Sequence, residues 1–230
     1  MQILLEDFIE LGAMVLTVVI LTYVTISVYR KNPSERLNQL FSLAAIFSMI
    51  SFVCTTIGTL PGVTAEISIL SMRLFITGIF WGVSALFFVA VYLNFGVLSK
   101  RLVALVVIMN SLLIIVWLPD SITANPLNPV DVHLSALLSI TIFPAAIVFF
   151  LLIWYLFYRV YSQSHGDAML RRKFRYFLGG WTIFIISISL AVLGAVLEGY
   201  GAILESHLLD AIGYVAVAIG CFVMAQAFRN

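Results

Sequence analysis

Long apolar runs alternate with short polar segments along almost the whole chain. Each run has about 20 mostly hydrophobic residues, the length that an α-helix needs to cross the hydrocarbon core of a bilayer. The pattern therefore predicts seven spanning helices joined by short loops, in a single domain over residues 1–230. The predicted helices cover about 7–29, 38–60, 67–97, 101–119, 133–161, 174–197 and 208–228.

The composition points to the same class of protein. Hydrophobic residues make up 63% of the chain and charged residues only 10%. A water-soluble domain of this size could not hide so much apolar surface. We therefore expect an all-α, multi-pass protein of the cell membrane, with the lipid bilayer as its main partner.

The charged residues are divided between the two sides of the predicted bundle. One side carries eleven basic residues against Glu35 and Asp167, a net charge of +9; the basic residues are Arg30, Lys31, Arg36, Lys100, Arg101, Arg159, Arg171, Arg172, Lys173, Arg175 and Arg229. The other side carries nine acidic residues against Arg73 alone, a net charge of −8. Because short cytoplasmic loops are enriched in Lys and Arg, this division predicts an amino terminus outside and a carboxyl terminus inside.

The densest charge is the basic cluster Arg171, Arg172, Lys173 and Arg175, in a predicted inner loop that begins at Ser162. Basic side chains next to a membrane attract anionic lipid by about 1 kcal/mol each. One interpretation is therefore a topology signal in contact with inner-leaflet lipid, and another is a docking surface for a cytoplasmic partner. Nucleic acid is not an expected partner, because no recognition module accompanies the cluster.

Arg73 is the one basic residue on the acidic side, about 10 Å along the predicted third helix at 1.5 Å per residue. An ionisable side chain at that depth usually faces the bundle and has a partner. Helical spacing places Thr77 and Trp81 on its face, and the candidate counter-charges are Glu10, Glu66, Glu198 and Asp210. Two interpretations follow: a structural ion pair or snorkelling to the interface, and an outward pocket for a small ligand or a proton-sensing network.

Other polar and small residues inside the predicted helices favour helix packing. Asn94 and Asn110 are amides well inside spans, where such groups more often bridge helices than bind substrates. Gly78 and Gly82 form a small-xxx-small pair, which permits close approach of two helices and suggests a homodimer.

Neither cofactor nor metal nor catalytic residues are expected. A retinal Schiff base needs an intramembrane lysine, but all lysines lie in predicted inner loops, at Lys31, Lys100 and Lys173. Metal ligands are scarce, because the histidines are split between the outer side and the inner side, as His133 and His207 against His165. Serine catalysis lacks a Gly-x-Ser-x-Gly elbow. We therefore predict that the protein is not an enzyme.

Four segments carry a resemblance to a known family. They are 29–38 between the first two helices, 41–48 opening the second, 73–78 in the third and 171–180 entering the sixth. Together they resemble the amino-terminal seven-helix sensor region of prokaryotic histidine kinases. In that family the seventh helix leads to a kinase, whereas this chain ends at Asn230. The resemblance therefore implies the sensor module alone, which would signal through a separate protein.

The leading hypothesis is a non-enzymatic membrane sensor that passes a small-ligand or membrane signal to a cytoplasmic kinase or other effector. The alternative is a small transporter or channel, in which Arg73 and the acidic residues would line a permeation route. A lipid-modifying enzyme is a third interpretation, for which only His165 and Asp167 would be available on the inner side.

Overall fold

The computed structural model describes residues 5–60, 62–117, 122–124, 132–134, 136–164, 166–199 and 203–228. This part of the chain contains seven α-helices: α1 (Leu5–Lys31), α2 (Arg36–Gly58), α3 (Ala65–Phe95), α4 (Lys100–Leu112), α5 (Ala136–Gln163), α6 (Ala168–Gly199) and α7 (Ile203–Ala225). A π-helical turn (Leu113–Trp117) extends α4, and a 3-10 turn (Gln226–Phe228) extends α7. The predicted helical fold is therefore confirmed.

Five stretches of these helices are long and apolar enough to cross a membrane. They are Leu11–Lys31, Arg36–Gly58, Ala65–Phe95, Ala146–Gln163 and Leu208–Ala225. By length and composition, the chain is suited to a multi-pass helical membrane protein. The count of seven spans and the orientation of the termini stay predictions.

The basic cluster lies on α6 and not in a loop, because α6 begins at Ala168 instead of near residue 174. Asp167 starts the helix. Its Oδ1 accepts hydrogen bonds from the backbone N–H groups of Met169 and Leu170, at 2.9 and 3.0 Å. Hydrophobic periodicity identifies only the apolar part of a helix, so this polar first turn was missed.

A short antiparallel hairpin precedes α5. It consists of β1 (Ile122–Ala124) and β2 (Val132–Leu134), with Thr123 opposite His133. His133 is therefore in a strand, and α5 begins at Ala136 instead of near residue 133. The β-branched residues Ile122, Thr123 and Val132 favour extended backbone, which explains the local structure.

Six of the helices form a closed ring. Going around it, the order is α1, α2, α3, α5, α6, α7 and back to α1, while α4 packs outside the ring against α3. The α6–α7, α2–α3, α1–α7 and α1–α2 contacts are the most extensive. Both strands of the hairpin also lie against α3.

The centre of the ring is filled by side chains. At its core, a cavity of about 20 Å³ is lined by residues of α1, α2, α3, α6 and α7, among them Val24, Leu86 and Met224. A cavity of that size holds about one water molecule. Towards one end, the interior is aromatic: Trp181 is fully buried between Phe150 and Phe184, with ring centroids 5.4 and 5.1 Å away.

Helix direction alternates along the chain, so the charged residues of successive helices gather at the two ends of the ring. Arg30 and Lys31 end α1, Arg36 begins α2, and the basic cluster begins α6. We call this the basic end. Glu66 in the first turn of α3 and Asp210 in the first turns of α7 belong to the opposite, acidic end.

Candidate functional site

The part of α3 that carries Arg73, Thr77 and Trp81 packs against neighbouring helices. Arg73, Thr77 and Trp81 are all half-buried on α3. Trp81 stacks on Phe47 of α2, with centroids 6.1 Å apart. One turn further on, Ser84 accepts a hydrogen bond from Asn110 Nδ2 of α4 at 2.8 Å. Trp81 and Ser84 therefore contact α2 and α4, and the predicted role of Arg73 and Thr77 stays a prediction.

The candidate counter-charges differ in their exposure. Glu66 is exposed at the start of α3, while Asp210 is half-buried on α7. The side chains of Glu10 and Glu198 lie outside the described residues. A ligand pocket or ion-pair network at Arg73 and these carboxylates stays a prediction.

An aromatic layer closes the ring below the acidic end. Phe52 of α2, which is almost fully buried, packs edge-on against Phe75 of α3 and Tyr214 of α7, with centroids 5.8 and 5.7 Å away. Phe75 lies two residues after Arg73, and Tyr214 lies one turn after Asp210. Phe52 thereby fills the space between the helices that carry these two charges.

Side-chain hydroxyl groups of two neighbouring helices form hydrogen bonds with the backbone of α7. Thr17 of α1 donates to the carbonyl oxygen of Tyr214 at 2.9 Å, sharing its hydroxyl with the carbonyl of Ala13. Ser187 of α6 donates to the carbonyl oxygen of the preceding residue, Gly213, at 2.6 Å. Consecutive backbone carbonyls of α7 are therefore bound by its two neighbours in the ring.

The sequence did not single out Thr17 or Ser187. Each is a hydroxyl in an apolar helix, and many such residues bond only to their own helix, as Ser189 does with Ile185. Burial separates the two kinds, because Thr17 and Ser187 are buried whereas Ser189 is accessible. Whether such a hydroxyl joins two helices depends on which helix packs beside it, and the sequence does not show that.

Polar bridges predicted between helices are confirmed at both amides. Asn110 joins α4 to α3, and Asn94 Nδ2 donates to the carbonyl oxygen of Leu156 on α5 at 2.9 Å. A further bridge was not predicted: Trp181 Nε1 donates to the carbonyl oxygen of Phe150 at 3.0 Å, tying α6 to α5. These bonds fix the helix order of the ring.

Glycines set the closest helix approaches. On α6, a Cβ at Gly180 would meet the carbonyl oxygen of Gly220 and the Cγ of Met224. On α3, the predicted small-xxx-small pair packs against α2 of the same chain: a Cβ at Gly78 would meet Ser51, and one at Gly82 would lie 2.9 Å from Ser48 Oγ. The Gly78–Gly82 face is therefore used inside the ring and gives no support to a homodimer.

The basic cluster borders the carboxyl end of α5. Arg171 lies over the ring of Tyr161 with its Cζ 5.3 Å from the centroid, and Arg172 lies over Tyr176 at 5.9 Å. Arg159 of α5 lies over Phe95 of α3, also at 5.9 Å. Cations above aromatic faces are stabilised by the ring quadrupole, so these contacts hold guanidinium groups in place at the basic end.

Aromatic side chains continue this surface along α5. Trp154 stacks on Tyr158 with centroids 5.4 Å apart, and Tyr158 is followed by Tyr161 at 6.4 Å. Trp and Tyr are enriched where membrane helices meet the headgroup region, because their rings are apolar and their N–H and O–H groups are polar. The basic end thus combines cations with the side chains typical of a membrane interface.

Within the described residues, no three His, Cys, Asp or Glu side chains lie close enough together to bind a metal ion. Cys54 and Cys221 are both free thiols. Asp167 was a candidate for an enzyme on the inner side. Its carboxylate caps the start of α6. His165 lies outside the described residues.

No protein-family model matches this chain, and no curated protein sequence matches it.

Proposed function

We propose that this protein is a non-enzymatic sensor or signalling module of the cell membrane, which passes a signal to a separate cytoplasmic partner. Its amino terminus lies outside and the basic end inside. The charge division between the two ends supports this orientation through the positive-inside rule. The resemblance of segments 29–38, 41–48, 73–78 and 171–180 to histidine-kinase sensor regions supports the assignment to signalling.

The observation that carries the proposal is the position of α7 in the ring. The helix is bound at Gly213 and Tyr214 by both neighbours, and further along Gly220 lies in close contact with Gly180 of α6. The same α6 begins with the basic cluster. The α6–α7 pair therefore runs as one packed unit from the acidic residue Asp210 to the cationic surface at the other end.

The packed centre of the ring favours this reading over a transporter. A permeation route between the helices would have to pass the Phe52 layer and then the 20 Å³ central cavity. Bulky aromatic side chains occupy both levels. A sensor, by contrast, needs only a small change in helix packing at one end to alter the other.

The test is site-specific photo-crosslinking in the native host. A photoreactive residue replaces Arg172, which is exposed on the basic cluster, and a matched control replaces Arg36, which is exposed at the start of α2 on the same end. We expect a cytoplasmic kinase or other effector to be joined at position 172 and not at position 36. Equal capture at both positions would count against a specific partner surface.

A second measurement addresses the transporter alternative. The purified chain is reconstituted into proteoliposomes, and ion and solute fluxes are compared between the wild type and Arg73→Gln. We expect no flux above that of empty vesicles. A flux that Arg73→Gln abolishes would overturn the sensor proposal and establish a permeation route at the acidic end.

A further inference from the structure

A cationic surface lies where the last turns of α5 meet the first turns of α6. Arg171 is packed over the ring of Tyr161 at 5.3 Å. Arg175 lies one helical turn after Arg171, so the two side chains share one face of α6. Through Arg171, this face borders Tyr161 near the carboxyl end of α5.

Among the described residues, the start of α6 is rich in positive charge. The first turn of α6 contains no acidic residue, and the basic cluster adds four cations within its first two turns. A helix amino terminus already carries partial positive charge, so cations there are unfavourable. Asp167 offsets part of this by capping the first N–H groups. An external anion is the natural complement of the rest.

The surroundings indicate what kind of anion the surface receives. Exposed apolar and aromatic side chains adjoin it on both helices: Tyr155 is 55% exposed, Tyr158 46% and Met169 63%. These side chains stand at the end of a stretch of α5 that is long and apolar enough to span a membrane. A ligand bound here would have its charge at the arginines and its apolar part along α5, which describes a phospholipid and not a soluble anion.

We propose that Arg171, Arg175 and Tyr161 form a binding site for the phosphate of an anionic phospholipid, in the leaflet that borders the basic end. Guanidinium groups match phosphate oxygens in a planar, two-pronged geometry that an ammonium group cannot offer. The phenol hydroxyl is a further donor, and the stacked rings of Trp154 and Tyr158 lie along the first part of an acyl chain. The site does not depend on the proposed signalling function.

The test measures retention of phosphatidylglycerol by the purified full chain, by native mass spectrometry from detergent, with phosphatidylcholine as the neutral lipid. The variant Arg171→Gln/Arg175→Gln removes two charges from the site. The control Lys100→Gln/Arg101→Gln removes two exposed charges from the start of α4, at the same end of the ring. We expect phosphatidylglycerol to bind at least roughly 30-fold more weakly to the first variant, because both charge-assisted donors to its phosphate are lost. The control should bind as the wild type does, because detergent presents no charged bilayer surface to attract its two charges.

Equal weakening in both variants would show general surface charge and overturn the site. Unchanged binding in the first variant would do the same. Tyr161→Phe keeps the ring but removes the hydroxyl, and we expect a smaller loss than in the double variant. Arg175→Gln alone serves if the double variant fails to fold, because Arg175 is exposed. Displacement of the lipid by inorganic phosphate at similar concentration would show that the site takes free phosphate, and would overturn the lipid assignment.

Discussion

Gly180 of α6 and Gly220 of α7 lie face to face at the crossing of their helices. A Cβ on Gly180 would contact the Gly220 carbonyl oxygen, and one on Gly220 would lie 2.8 Å from the Gly180 carbonyl oxygen. Helices in a membrane gain little from the hydrophobic effect, so they associate where small residues let backbones approach. This contact allows α6 and α7 to pack as one unit.

Gly180→Ala should therefore lower the free energy of unfolding by about 1–3 kcal/mol, the usual cost of overpacking. Gly179→Ala is the matched control, because its Cβ would find only Val223 Cγ1 at 3.9 Å. Denaturation in mixed detergent micelles, followed by circular dichroism, measures both. Equal effects of the two variants would contradict the close crossing.

The hydrogen bond from Ser187 to Gly213 predicts a difference between two serines of α6. Ser187→Ala removes an interhelical bond of 2.6 Å, whereas Ser189→Ala removes one to its own helix. We expect Ser187→Ala to cost about 0.6–1.7 kcal/mol of unfolding free energy, as found for hydrogen bonds between membrane helices. Ser189→Ala should cost less. The same denaturation in mixed detergent micelles measures both variants. A larger loss of unfolding free energy in Ser189→Ala would contradict the assignment.

The two tryptophans at the α5–α6 interface should also differ. Trp181 is fully buried and donates to Phe150, while Trp154 donates to the accessible hydroxyl of Thr182 at 3.2 Å. Trp181→Phe loses a buried hydrogen bond and leaves a void, at a cost of about 1–3 kcal/mol. Trp154→Phe should be milder. Thermal denaturation of the purified variants ranks them, and the reverse order would contradict the buried position of Trp181.

Capping of α6 by Asp167 gives a fourth stability test. Asp167→Ala removes the acceptor for two N–H groups and should cost about 0.5–2 kcal/mol. Asp167→Asn keeps an acceptor oxygen and should retain most of the cap while losing the negative charge. Amide hydrogen exchange at Met169 and Leu170 reports the change directly. Unchanged exchange in Asp167→Ala would show that the cap contributes nothing.

The orientation is testable by thiol labelling in intact cells. Cys54 and Cys221 are first replaced by Ser and Ala, and single cysteines are placed at Ser34, between α1 and α2, or at Thr64, before α3. Both positions are exposed. We expect a membrane-impermeant maleimide to label Thr64→Cys in intact cells, and Ser34→Cys only after permeabilisation. The opposite pattern would reverse the proposed topology.

The hydrophobic pattern by itself determined the helices, because a span of apolar residues has few other ways to satisfy its backbone in a membrane. The predicted segments match α1 to α3 within about two residues at each end, a common uncertainty of helix boundaries. The pattern did not predict the polar first turn of α6, which begins at Ala168. It also did not predict the short strand that begins at Ile122.

Which residues meet was decided by the tertiary structure alone. Periodicity put Arg73, Thr77 and Trp81 on one face of a helix, but only the tertiary structure decided that Trp81 stacks on Phe47 of α2. Likewise, Thr17, Ser187 and Gly180 look like many other small residues in apolar helices. Their roles come from neighbours far away in the sequence, which are Tyr214, Gly213 and Gly220. The hydrophobic pattern of a membrane helix does not show which other helix it will contact, because nearly all of its positions are apolar.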